Sequence, residues 1–129
     1  KRCFSFYSAD IDVLKILATN DKVNGETINI GPDAEFVSIN ELAAMLADLL
    51  NFNLDPIYMP ARPQEVFFAN CSADKARRIF NYNPDVTLKD GLREMINYIK
   101  KRGPKPFKYH IDLEIINELT PQTWTDKII

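Results

Sequence analysis

Three charged residues have the types and spacing that a phosphate-bearing ligand calls for. Arg2 opens an aromatic, strand-like run, Cys3-Phe4-Ser5-Phe6-Tyr7, and Arg62 lies in a proline-bounded loop after the short run Ile57-Tyr58-Met59. Glu65 follows Arg62 by three residues. A guanidinium presents a planar fork of N–H donors that grips phosphate oxygens in pairs, so two converging forks would neutralise a diphosphate. A nearby carboxylate suits a vicinal diol, because it accepts from both hydroxyls, as acidic residues do at ribose. The competing reading is ordinary surface chemistry: an Arg beside a strand also serves in a salt bridge or simply faces water.

The remaining reactive side chains offer less. Cys3 and Cys71 are the two cysteines, and His110 is the one histidine. Two thiols permit one disulfide, but they read as reduced, partly buried apolar fillers of an intracellular protein. One His and two scattered Cys fall short of the four N/S ligands of a structural zinc site. A Cys–His or Ser–His nucleophile would have to recruit His110 from a basic, Pro-flanked tail. The sequence holds no G-x-G-x-x-G, G-x-x-x-x-G-K-[ST], H-E-x-x-H or G-x-S-x-G, and no Tyr is followed four residues later by Lys. If the chain belongs to an enzyme, its catalytic machinery is expected outside these residues.

The elements that must position the charged residues alternate between strand-like and helix-like patterns. Strands are expected at Cys3 to Tyr7, Glu26 to Ile30, Ile57 to Met59 and Val66 to Ala69. Ile11, Leu14, Leu17 and Ala18 fall at helical spacing, with Ser8 or Asp10 as cap. Ser38-Ile39-Asn40-Glu41 is a capping box that starts a helix of about twelve residues. Ser72-Ala73-Asp74-Lys75 opens a short helix that Asn81 to Pro84 break. Thr87-Leu88-Lys89-Asp90 is a second capping pattern, and its helix ends in Lys100, Lys101, Arg102 and Gly103, as the helix dipole favours. Residues 104–129, punctuated by prolines and patterned only at Ile111 to Ile116, read as an appended arm.

With 129 residues, 46% of them apolar, the chain is one domain's worth of sequence. Sixteen basic against eighteen acidic residues leave no electrostatic footprint for nucleic acid. No apolar run approaches the roughly 18 residues of a membrane span. The start, KRCFSFYSADID, lacks the apolar core of a secretory signal, so a cytoplasmic location is expected. It also lacks Met and reads directly into a patterned segment, as a piece of a longer chain would.

Five motifs in order resemble the C-terminal half of the NAD-dependent nucleotide-sugar epimerases and dehydratases, the extended short-chain dehydrogenase/reductase family. Arg2-Cys3-Phe4-Ser5-Phe6 resembles its R-x-F-x-[YF] strand. Ile28-Asn29-Ile30-Gly31 with Ser38-Ile39-Asn40-Glu41-Leu42-Ala43 resembles its strand–loop–helix. Pro60-Ala61-Arg62-Pro63-Gln64-Glu65-Val66 is similar to its P-x-R-x-[GQ]-[DE]-V loop. Ser72-Ala73-Asp74-Lys75-Ala76, Tyr82-Asn83-Pro84 and Thr87-Leu88-Lys89-Asp90-Gly91-Leu92 complete the series. Two departures stand out: Ser8 and Ala9 replace the family's usual Asp, and Asn81 stands where Gly is usual, tolerable because Asn adopts a left-handed backbone.

The resemblance implies an α/β fold, with short strands and about four helices, that completes a Rossmann domain absent from these residues. Residues 1–103 would be the substrate-binding domain and 104–129 a C-terminal extension. Arg2 and Arg62 would contact the diphosphate of a nucleotide-sugar, most simply a UDP-sugar, and Glu65 its ribose. NAD and the family's Tyr-x-x-x-Lys pair would lie in the missing N-terminal half, leaving this part catalytically silent alone. The parent enzyme would be like UDP-glucose 4-epimerase, working by transient oxidation at sugar C4, and a homodimer is possible. The rival expectation is a non-enzymatic binding module descended from such enzymes.

Overall fold

The computed structural model describes residues 1–106, 113 and 115–127. His110, Lys108 and, within the patterned stretch Ile111 to Ile116, positions 111, 112 and 114 lie outside the described residues. Among the described residues five helices form: α1 (Tyr7–Thr19), α2 (Ile39–Leu50), α3 (Asp74–Phe80), α4 (Leu88–Arg102) and α5 (Gln122–Thr125), with a short 3-10 turn at Asp21–Val23.

The capping box of α2 forms in full. Ser38 Oγ accepts from the Glu41 N–H at 3.1 Å, and the Glu41 carboxylate accepts from the Ser38 N–H at 2.6 Å. The Ser38 N–H, and then the Ser38 side chain, hold the Glu41 carboxyl below its ordinary pKa. Ser38→Ala should therefore cost about 1 kcal/mol in urea denaturation. The far end of α2 closes on Asn51, at φ 51, with the Phe52 N–H donating to the Ala47 carbonyl at 2.8 Å. Asn51 takes the left-handed position that usually goes to Gly. α3 ends the same way on Asn81, at φ 57, so the residue that departs from the family's Gly adopts the conformation expected of it.

At α4 the second capping pattern forms only in part. Thr87 Oγ1 accepts from the Asp90 N–H at 3.2 Å, but the shorter Asp90 carboxylate meets the Thr87 hydroxyl at 2.6 Å. The next first-turn donor, the Leu88 N–H, is taken instead by Glu35 at 2.7 Å.

The α/β expectation is corrected here. Among the described residues no sheet forms; pairing is confined to Arg2, which bridges Val37 antiparallel and Ala69 parallel. A strand exists only where a neighbour takes its N–H and C=O groups. The segments 26–30 and 57–59 have strand-like composition but no such neighbour, and Ile57 stays 85% exposed. Tyr7, expected to end the first strand, instead begins α1, so Ser8 and Asp10 lie inside that helix rather than capping it.

Two small cores hold the helices. Val13 of α1 packs with Ala73, Ala76 and Tyr82, flanked by Leu17, Ile28, Ile30 and Phe80. The inward face of α1 is thus Val13 with Leu17, while Tyr7, Ile11 and Leu14 form a stripe that faces water. That is a rotation from the expected face, possible because α1 is apolar on both sides. The second core lies between α2 and α4, where Ala47, Leu88, Leu92 and Ile96 are buried. Gly91 lets the Phe6 ring lie against α4: a Cβ there would sit 3.1 Å from that ring.

Candidate functional site

Arg2 and the segment 62–66 meet at one corner of the molecule. Two backbone bonds tie Arg2 to Val37, at 2.8 and 3.0 Å, and the Ala69 N–H donates to the Lys1 carbonyl at 3.2 Å. The Arg2 guanidinium donates to the Lys1 carbonyl at 2.9 Å and to the Val66 carbonyl. It therefore lies against the residue next to Glu65, although the two are far apart in sequence.

Arg62 and Glu65 face each other across a tight turn. The Glu65 N–H donates to the Arg62 carbonyl at 3.3 Å, with Pro63 and Gln64 at the turn's centre and Gln64 at φ 58. Pro at the second position and a left-handed third residue are what a type II turn demands. The turn folds Arg62 back so that Nε and one terminal nitrogen donate to both oxygens of Glu65, at 3.3 and 2.7 Å. The Arg62 donors, and then the nearby Arg2 charge, hold the Glu65 carboxyl below its usual range. Among the described residues Arg62 Nη1 has no partner, so part of the fork still faces outward. The pair is half-exposed, which keeps it open to exchange with another anion.

The two cysteines do not join this chemistry. Both are free and partly buried. Burial, followed by the charges of Asp33 and Glu35, pushes the Cys3 thiol up, away from the thiolate of a nucleophile. Among the described residues no group of His, Cys, Asp and Glu is placed to hold a metal ion, and no helix is long and apolar enough to cross a membrane.

Two carboxylates that the sequence reading passed over organise the ground beneath the site. Asp33 accepts from the Ala73 N–H at 2.9 Å and from both terminal nitrogens of Arg77. Those donors, the Arg77 side chain first, lower its carboxyl to about 2. Glu35 caps α4 as described above. The first N–H of α3, that of Asp74, already has a local acceptor in Ser72 Oγ at 3.1 Å, so no local signal called for Asp33.

An apolar cleft of about 290 Å³ lies between Phe4, Phe6, α2 and α4, lined by Leu42, Leu46, Leu88, Leu92 and Met95. It holds no charged group and is separate from the arginines.

No protein-family profile matches the chain, and no solved structure matches it. Over 106 residues the chain is 28% identical to the UDP-N-acetyl-alpha-D-glucosaminuronate decarboxylase of Bacillus cytotoxicus, covering 78% of this chain and 32% of that protein. The chain thus spans about a third of the length of this curated relative. This similarity supports the motif-based resemblance to nucleotide-sugar enzymes, and does so without pointing to their 4-epimerase members.

Proposed function

We propose that this chain is the nucleotide-sugar-binding part of a larger NAD-dependent enzyme of the extended short-chain dehydrogenase/reductase family. Arg2 and Arg62 take the diphosphate, and Glu65 takes the ribose hydroxyls. The observation that supports the reading is the bond from the Arg2 guanidinium to the Val66 carbonyl, beside the Glu65 that Arg62 holds. An anion arriving at Arg62 replaces the Glu65 carboxylate on the fork. That exchange frees two carboxylate oxygens, a short distance from the phosphate, for a diol. In this proposal the ligand is a UDP-sugar. The decarboxylase relative favours loss of a carboxyl group over 4-epimerisation as the reaction of the whole protein.

NAD would supply the hydride acceptor for oxidation of the sugar. The residues here do not suit it, since they include no glycine-rich phosphate loop, and NAD is assigned to the remainder of the protein. The surface agrees with a chain that is part of a larger body. Among the described residues, Tyr7, Ile11, Leu14, Ile57, Tyr58 and Phe67 stand exposed on it. Residues 1–103 are proposed as the substrate-binding domain and 104–129 as an appended arm.

Calorimetric titration with UDP and UDP-N-acetylglucosamine tests the reading. Binding by the chain should weaken about 10- to 100-fold in both Arg2→Ala and Arg62→Ala, as expected for lost charge-assisted hydrogen bonds. Affinity unchanged in the two variants would overturn the site. Binding only in the longer protein would place the site across both parts, and no binding by either at millimolar ligand would favour the non-enzymatic module.

A further inference from the structure

Between Gly31 and α2 the chain makes a short loop whose polar side chains, Asp33, Glu35 and Ser38, are all committed to helix starts. Asp33 is fastened to the start of α3 through the Ala73 N–H and Arg77. Two residues later Glu35 is fastened to the start of α4 through the Leu88 N–H. Two residues on, Val37 exchanges both backbone bonds with Arg2, and Ser38 then caps α2. Within six residues the loop is anchored to the starts of three helices, and the segment in its midst is the one that holds Arg2.

We propose that the segment 33–37 is a positioning bracket for Arg2, with Asp33 and Glu35 as its anchors. Neither carboxylate touches the proposed ligand; each acts through Val37 on the backbone of Arg2. The need for such a bracket follows from the lack of a sheet. Arg2 lies in a stretch with isolated bridges only, so nothing periodic fixes its Cα. An arginine whose Cα wanders cannot hold a bidentate geometry on phosphate. On its other side Arg2 rests on the Val66–Ala69 stretch, which continues directly from Glu65. Bracket and turn together therefore set the distance between the two forks. The thiol of Cys3, next in sequence to Arg2, feels both Asp33 and Glu35, which puts the anchors within electrostatic reach of this point.

The consequence for ligand affinity rests on the proposed nucleotide-sugar site, whereas the bracket itself does not, and two measurements separate them. In hydrogen exchange followed by NMR on the full chain, Glu35→Ala should speed exchange of the Arg2 and Val37 amides about fivefold, the scale of a lost capping bond. Amides inside α1 should not change. Glu35→Gln, whose side-chain oxygen still accepts from Leu88, should restore protection. Unaltered exchange at Arg2 and Val37 would overturn the bracket. In UDP titrations, Glu35→Ala should weaken binding about fivefold in the wild-type background and not at all in Arg2→Ala. An equal loss in both backgrounds would overturn positioning through Arg2. An Arg2→Ala variant that binds UDP as well as wild type would sink the proposed site, with the exchange result still deciding on the bracket.

Discussion

Tyr82→Ala is expected to destabilise the chain by roughly 3–5 kcal/mol, while Tyr82→Phe should cost less than about 1 kcal/mol or stabilise slightly. Tyr82 is 6% exposed and fills the space between Val13, Ala73 and Ala76, two of which carry only a methyl group. Its ring meets Phe80 edge-on at 6.3 Å. Truncation leaves a cavity that α1 and α3 can close only by moving together. The hydroxyl is a different matter. It is buried without a close hydrogen bond, the Gly31 N–H offering only a weak one, and burial pushes its pKa up. Removing it forfeits no strong bond and relieves a desolvated polar atom. Urea denaturation followed by circular dichroism measures both variants. A Phe variant that loses more than about 1 kcal/mol would show that the hydroxyl has a partner of consequence.

The second large effect is an acid-side loss of stability centred on Asp33. Its folded pKa is about 2, below the ordinary 3.8, chiefly through the Arg77 side chain. A carboxyl lowered on folding stabilises fully at pH above its unfolded pKa, and that stability fades as pH falls through the folded value. The window for Asp33 therefore runs from about pH 5 down to pH 2. The Asp33 side chain is 16% exposed and that of Arg77 is 40% exposed, so solvent screening trims the contribution to roughly 1–2 kcal/mol. Glu26, Glu41, Glu65 and Asp90 are lowered as well, and all add to the acid slope. The part due to Asp33 is isolated by comparison with Asp33→Asn across pH 6 to 2. Wild type should lead at pH 6, and the two curves should converge near pH 2. Parallel curves would show that the Asp33–Arg77 pair does not respond to acid.

What could be read from the sequence was what depends on near neighbours. The capping box at Ser38, the second start at Thr87 and the stop at Gly103 are each decided within four residues, and all three helix ends fall where expected. The left-handed Asn81 was legible for the same reason. The strands were not, because Glu26 to Ile30 shows β composition whether or not a partner lies alongside. Nor was the face of α1 legible: Val13 and Leu17 compete with Ile11 and Leu14, and only the position of Tyr82 decides between them. In the site, Arg62 with Glu65 follows from the spacing of a turn. Arg2 was a candidate by its residue type and position, and the motif resemblance strengthened it, but no local rule brings it to the other two. Asp33 and Glu35 escaped notice because their partners lie 40 and 53 residues away.

Those long reaches have a kinetic meaning. Arg2 to Ala69, Asp33 to Ala73 and Glu35 to Leu88 are contacts of high sequence separation, and each closes a large loop of chain for one or two hydrogen bonds. The helices depend on contacts three and four residues apart and form without waiting for them. On contact order, the corner that carries Arg2 is expected to close late in folding, which hydrogen exchange at the Arg2 and Val37 amides measures. A ligand that bridges Arg2 and Arg62 would act as a cross-link over that step, trading part of its affinity for the closure entropy that the bare chain leaves unmet.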